Sequence, residues 1–255
     1  MASGSTTVKV YDLDGPFIRN AAEFYRDPEW KLYRDDGTVR VTDTREAFEA
    51  AARPDVDPKF NNYVVEGRPE WVVRKVNEYV IPVQPVYQET PTFFGRPQGG
   101  PARGARPDGP PPPGDGAGAP NRGGAGQVVL AIAFNGMKFD PPAPLDAIPR
   151  AHTLAPFDHA GGHINPHEGY HYHAATGKTK EIAQSDGHAP MIGYALDGFG
   201  LYAQLDAKGQ PPTDLDECGG HIDAVRRYHY HVGAPGSNQI IGSFRGKPGT
   251  IAEAP

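Results

Sequence analysis

The 255-residue chain is long enough to bury a sizeable core, either as one large domain or as two smaller ones. Its 32 glycines and 28 prolines predict many turns and few long helices, and a net charge of −6 argues against a nucleic-acid partner. No apolar run approaches the roughly 20 residues that a membrane span needs, and the amino terminus shows no signal peptide. The single cysteine, Cys218, excludes an intrachain disulfide.

Residues 1–94 are predicted to form a β-rich segment. One short helix is expected near residues 44–52, because Thr44 can cap its amino terminus and a proline follows its end. Gly37 is suited to the turn of a β-hairpin between residues 30 and 42. The other apolar or alternating runs that predict strands are residues 8–13, 62–65 and 71–83.

Residues 95–127 differ in composition from the rest of the chain. They contain a run of four prolines and an alternation of glycine and alanine, and almost nothing in them could enter a core. This composition predicts a flexible insert or a linker between two domains. The arginines in it are too sparse for a nucleic-acid-binding arm.

Residues 128–255 are predicted to contain one structural unit used twice. The apolar runs 128–134 and 191–196 are each followed by a turn dipeptide, Asn135-Gly136 or Asp197-Gly198, and then by a short apolar arm. A further strand is expected at residues 239–244. The predicted fold class is therefore all-β (β-rich), with an internal duplication and a last domain that spans residues 128–255.

A histidine motif accompanies each copy of this unit. Residues 157–173 and 215–231 align without a gap and share nine of 17 residues, including Gly-Gly-His-Ile and Tyr-His-Tyr-His. Alternate residues of a strand point to the same face, so two histidines of each Tyr-His-Tyr-His run share one face. The glycines before the third histidine allow a turn that brings its ring over the strand. Each copy thus offers three imidazoles suited to zinc or copper, and the predicted metal ligands are His163, His171, His173, His221, His229 and His231.

Carboxylates flank these rings and are the candidate catalytic groups. They are expected either to accept the second ring N–H of a ligand and fix its tautomer, or to coordinate the ion directly. As candidates for proton transfer we select Asp158, Asp197, Asp216 and Glu217. The histidines without a counterpart in the other copy, His159, His167 and His188, are expected to be surface or substrate-side residues.

Two other interpretations of the motif stay open. A His-x-His strand can belong to a hydrogen-bonded core that holds no metal, although six partly buried imidazoles would then need many good acceptors. Cys218 could supply a thiolate ligand, but the first copy has Ala160 at that position, so the repeated pattern does not need it.

The chain resembles the YHYH-domain proteins, a largely bacterial family named for this tetrapeptide. The resemblance rests on residues 158–173, on the block 188–199 and on residues 215–231. It implies a β-rich extracytoplasmic protein, secreted or periplasmic, because relatives usually carry export signals; it implies no particular activity. The chain departs from the family pattern in its proline- and glycine-rich insert and at residues 66–71.

These observations favour a metal-dependent enzyme that uses a copper or zinc ion, with a copper oxidoreductase ahead of a zinc hydrolase. The alternatives are a non-catalytic metal carrier or structural metal site, and a recognition module without metal. The substrate, small-molecule or polymeric, is not predicted. An open coordination position would favour catalysis, and full ligation by protein side chains would favour carriage or structure.

Overall fold

The computed structural model describes residues 15–53, 56–72, 76–93, 128–143, 151–166 and 168–253. In these ranges the chain is β-rich, with ten strands in two sheets and two short α-helices. The strand expected at residues 8–13, the insert 95–127 and His167 lie outside the described residues, so the division into three regions stays a prediction. No helix in the described part is long and apolar enough to cross a bilayer.

The two helices lie near the amino terminus. Helix α2, Arg45–Ala51, is the expected one, and the Thr44 hydroxyl caps it by accepting a hydrogen bond from the Ala47 amide at 3.1 Å. Helix α1, Gly15–Tyr25, is a second short helix that the sequence analysis did not identify. Its buried residues Ile18 and Ala21 are three positions apart, which is the helical spacing that could have revealed it.

The rest of the amino-terminal region has little regular sheet. The expected hairpin is reduced to an isolated antiparallel bridge between Tyr33 and Val39, with Gly37 at a φ of 81° in its turn. Val64 bridges both Val41 and Leu154 in parallel. These contacts tie the amino-terminal region to residues that follow the insert.

The histidine motifs belong to an eight-stranded sheet. Its order is β4-β5-β3-β2-β6-β7-β9-β8, and a separate two-stranded sheet pairs β1 with β10. The strands are β1 Asn77–Val80, β2 Ala131–Ala133, β3 Lys138–Phe139, β4 Gly162–Asn165, β5 Gly169–Tyr172, β6 Met191–Ala195, β7 Gly200–Tyr202, β8 Gly220–Asp223, β9 Arg227–His231 and β10 Thr250–Glu253.

The pattern of antiparallel and parallel pairings is the same on both sides of the middle of the large sheet. Strands β2 and β6 pair antiparallel there; outward on each side follow an antiparallel, a parallel and an antiparallel pairing. The two Tyr-His-Tyr-His strands, β5 and β9, are consequently separated by five strand spacings, about 24 Å along the sheet. The sheet thus places the two histidine motifs apart rather than on a common axis.

The strand expected at residues 239–244 does not form. Ile240 and Ile241 are buried in the core, but only Phe244 makes a bridge, to Thr92. The Gly242 amide instead donates to the Cys218 carbonyl at 2.8 Å, which packs this segment under the second Gly-Gly-His turn. Its apolar residues therefore fill the core as an irregular segment, and the last strand of the chain is β10.

Candidate metal centres

The Gly-Gly-His turns are built in the same way in both motifs. Gly161 and Gly219 both have a φ of 83°, a region that residues with a Cβ rarely adopt. At Gly162 and Gly220 a Cβ would collide with the hydroxyl of the first tyrosine of the same motif. Each motif therefore requires glycine at these two positions for different reasons. The first glycine allows the positive φ of the turn, and the second leaves space for the tyrosine hydroxyl.

The strand pairing that follows brings the third histidine onto the other two. His163 is the partner of His171 across β4 and β5, and His221 is the partner of His229 across β8 and β9. The described residues contain two separate groups of histidine side chains. Within each group, the possible ligand atoms all lie within 4.8 Å of one another. The three-histidine centre is His163, His171 and His173, and the four-histidine centre is His188, His221, His229 and His231.

In the three-histidine centre the Nε2 atoms of His171 and His173 are 3.1 Å apart. The Nδ1 atoms of these rings face backbone carbonyl oxygens, those of Gly169 at 3.1 Å and Pro141 at 2.9 Å. The His163 ring lies against both, with centroid distances of 4.6 and 5.1 Å. The two strand histidines thus turn one nitrogen to the backbone and the other to the centre of the group.

In the four-histidine centre the Nε2 atom of His229 lies 3.0 Å from those of both His188 and His221. The Nε2 atom of His231 is buried and has no hydrogen-bond partner among the described residues. All four Nδ1 atoms face oxygen acceptors at 2.8–3.0 Å, namely Ala189 O, Asp214 Oδ1, Arg227 O and Ala203 O.

These contacts indicate where the proton lies on every ring of the two centres except His163. A carbonyl oxygen can only accept, so each Nδ1 that faces one carries the single proton of a neutral imidazole. The corresponding Nε2 atom is then an unprotonated lone pair that cannot donate to its neighbour. Lone pairs at 3.0–3.1 Å repel each other unless a cation lies between them. Two nitrogens at 2.0–2.1 Å from one tetrahedral ion are about 3.3 Å apart, so a small opening of either group accommodates an ion.

The rings are also held in the neutral form that a metal requires. Burial, helped by neighbouring histidines, lowers the pKa of His171 to about 3 and that of His163 to about 4. In the other centre burial likewise lowers the pKa of His231 to about 3 and that of His229 to about 4. Proton competition for the ring nitrogens is therefore weak at neutral pH.

His188 enters the four-histidine centre, although the sequence pointed to a surface or substrate-side role. It comes from the loop before β6 and has no counterpart in the first motif, so the repeat gave no signal for it. Its ring also borders a cleft of about 500 Å³, whose lining includes Thr176, Gln184, Gln204 and Asp206. His188 is thus the member of this centre that connects it to an open cleft.

The side chains of Asp158, Asp216 and Asp197 bond to tyrosine hydroxyls rather than to histidine rings. Tyr170 donates to Asp158 at 2.6 Å, Tyr228 donates to Asp216 at 3.0 Å, and Tyr230 donates to Asp197 at 2.6 Å. Because tyrosines and histidines alternate along each strand, these carboxylates lie on the face away from the imidazoles.

The expected carboxylate acceptors for the ring N–H groups are thus replaced mainly by backbone carbonyls. Asp214, which the sequence did not single out, is the exception, with its contact to His221. Glu217 accepts from Arg245 at 2.8 Å. A role for Asp158, Asp197, Asp216 or Glu217 in proton transfer stays a prediction.

Two other histidines and the cysteine lie outside both centres. His159 is exposed, and His152 contacts Asp27 at 2.8 Å in the amino-terminal region. Cys218 is buried with its Sγ 2.8 Å from the Ser243 hydroxyl, and burial raises the pKa of the thiol. Neither histidine group includes Cys218 as a ligand.

Residues 120–213 match a family model described as YHYH protein. The matched range contains the whole three-histidine centre together with His188, and it ends before the second Tyr-His-Tyr-His run. No curated protein and no solved structure matches the chain.

Proposed function

We propose that this chain, which carries a YHYH-family domain, is a metalloprotein that binds copper or zinc ions in two separate histidine centres. The observation that carries the proposal is the convergence of histidine ring nitrogens in each centre, with Nε2 atoms only 3.0–3.1 Å apart. A neutral site of nitrogen donors suits zinc and copper, whereas calcium and magnesium prefer oxygen ligands. The four-histidine centre offers four protein nitrogens, the number that a closed tetrahedral site needs, which favours a structural or carrier role there.

Metal content of single-centre variants tests this proposal. Protein made without a histidine tag, reconstituted with zinc or copper and freed of excess metal, is expected to retain about two ions per chain. Since His171 and His229 lie centrally in different centres, His171→Ala and His229→Ala are each expected to retain about one ion, and the double variant none. The measurement is elemental analysis by mass spectrometry.

His159→Ala is the matched control, because this histidine is exposed and belongs to neither centre. It should retain both ions. A wild-type protein that remains far below one ion per chain with both metals would contradict the proposal. Equal losses in all three single variants would indicate non-specific binding instead.

A catalytic role is the second candidate function, and the three-histidine centre favours it. His163 and His173 are only half-buried, and the exposed side chain of Phe157 lies 4.6 Å from the His163 ring between centroids. Three imidazoles leave room for a substrate or a water in the coordination sphere. With copper bound the centre would support oxidation, which we rank first, and with zinc it would support hydrolysis.

This candidate is tested by comparing copper-loaded and zinc-loaded protein for oxygen consumption with phenolic or reducing substrates and for ester hydrolysis. Activity that disappears in His171→Ala and persists in His229→Ala would place the chemistry in the three-histidine centre. Activity that follows the four-histidine centre, or depends on neither, would exclude it.

A further inference from the structure

A buried ion-pair group lies beside the three-histidine centre. The ammonium of Lys138 is 3.0 Å from Asp140 Oδ2 and 3.1 Å from Glu168 Oε2. The Lys138 side chain is only 4% exposed and that of Asp140 13%. Lys138 and Asp140 lie outside the histidine motif, and Glu168, which lies within it, is aligned with Arg226 in the second copy, so the repeat did not single out any of the three.

The backbone holds Asp140 next to the ligand strand. Strand β3 runs parallel to β5, with Phe139 paired to Tyr172, and the Asp140 amide donates to the Tyr172 carbonyl at 2.9 Å. The next residue, Pro141, supplies the carbonyl that accepts the His173 Nδ1 proton. The backbone of Asp140 is therefore bonded to the strand that carries the histidines, and its next residue contacts one of their rings.

The Asp140 carboxylate has an unexplained arrangement. Its Oδ1 atom is buried and has no hydrogen-bond partner among the described residues. Its Oδ2 atom lies 3.6 Å from Nε2 of His171, whose proton is on the other ring nitrogen. A carboxylate oxygen and an imidazole lone pair are both acceptors, so neither can satisfy the other. Their separation is close to the roughly 3.3 Å between two ligands of one tetrahedral ion. Asp140 is not yet within 4.8 Å of all three histidines, so its carboxylate would have to turn towards the ion.

We propose that Asp140 is the fourth protein ligand of the three-histidine centre, so that it binds its ion through three imidazoles and one carboxylate. The inference rests on the proposed metal-binding function, and because a fourth protein ligand would complete the tetrahedral set of this ion, it argues against the open coordination position that the catalytic candidate requires. It makes the two centres chemically different: a divalent ion keeps its full charge among four neutral imidazoles, whereas the Asp140 carboxylate lowers the net charge of the first centre by one. The first centre should therefore discriminate more strongly against monovalent copper.

Lys138 would have a carboxylate partner both with and without a bound ion. Without an ion, its ammonium partly compensates the charge of Asp140 inside the protein. When an ion binds, Lys138 retains Glu168 as a partner, so Asp140 can turn an oxygen to the metal without leaving a buried ammonium unpaired.

The test is Asp140→Asn, with Glu168→Gln as its matched control, because each removes one carboxylate from the same lysine and only Asp140 reaches His171. Changing an outer partner of a metal site typically weakens binding 10–100-fold, so loss of a direct ligand should weaken zinc binding at the first centre by at least about 100-fold. Glu168→Gln should change it by less than about tenfold. Zinc titration with a chelator competitor resolves both centres, and the four-histidine centre reports in each variant that the protein is folded.

Equal zinc affinities at the first centre in Asp140→Asn and Glu168→Gln would overturn the inference while leaving the metal-binding proposal intact. Absence of zinc from the wild-type protein would overturn both. A zinc-loaded crystal of the wild-type protein decides the matter without any variant. A zinc–Oδ distance of about 2.0–2.2 Å to Asp140 supports the inference, and one above about 3 Å refutes it.

Discussion

Acidification of the metal-free protein from pH 7.5 to pH 5.5 is expected to lower its Tm by about 6–12 °C. Burial lowers the pKa of His171 and of His231 to about 3 in the folded protein, against 6.5 for an ordinary histidine. The unfolded chain therefore binds protons that the folded chain refuses, and stability is lost as the pH falls below 6.5. At pH 5.5 each of these two histidines costs about 1.4 kcal/mol, and a chain of this size loses about 2–4 °C per kcal/mol. His163 and His229, whose pKa burial lowers to about 4, add to this loss, and buried carboxyls offset part of it.

Two buried carboxyls act in the opposite direction. Burial raises the pKa of Asp140 and of Asp197, so their ionised forms destabilise the folded protein at neutral pH and this penalty fades on acidification. Histidine variants separate the two effects. His231→Gln removes one titrating ring and should reduce the pH-dependent loss of stability by about 1.4 kcal/mol.

The measurement is differential scanning calorimetry of metal-free protein in buffers from pH 7.5 to pH 5.5. His159→Gln is the control, since this exposed histidine should leave the pH dependence unchanged. Saturating zinc should flatten the curve over the same range, because an ion that binds only the folded protein opposes protonation of its ligands. A pH dependence of Tm that is the same in His231→Gln as in the wild-type protein would show that His231 is not buried in the neutral form.

The sequence was sufficient to predict both histidine trios, for a simple geometric reason. Tyr-His-Tyr-His alternates with the period of a strand, and the two glycines before His163 and before His221 leave few conformations for the connecting turn. Both features are local, and each occurs twice. The alternation places the tyrosines on one face of the strand and the histidines on the other. It could not show that Asp158 and Asp216 would lie on the tyrosine face.

The remaining parts of the centres depend on contacts between distant segments. His188, Asp214 and Asp140 have no equivalent in the other motif, so the repeat could not identify them. The acceptors for the ring N–H groups are mostly backbone carbonyls, which every residue possesses and no sequence pattern marks. Separation of the two centres follows from the strand order, which is a property of the whole sheet.

Loss of the Tyr230 hydroxyl is expected to destabilise the protein by about 2–4 kcal/mol in the variant Tyr230→Phe. This hydroxyl donates to Asp197 at 2.6 Å and accepts from the Arg245 amide at 2.6 Å. Tyr230 and Asp197 are both fully buried, so no water replaces the missing partner. An amide and a carboxylate oxygen would each lose a hydrogen bond inside the core.

Tyr172→Phe is the matched control, because Tyr172 holds the equivalent position in the first motif. Its hydroxyl accepts a 2.8 Å hydrogen bond from the side chain of Asn135, which is exposed and can bond to water instead. We expect a loss of only about 0.5–1.5 kcal/mol, measured for both variants by urea denaturation. Since the tyrosines face away from the imidazoles, both variants should retain two metal ions per chain. Equal losses of stability would contradict the role assigned to Asp197, and loss of metal in Tyr230→Phe with unchanged stability would place this tyrosine at the metal instead of in the core.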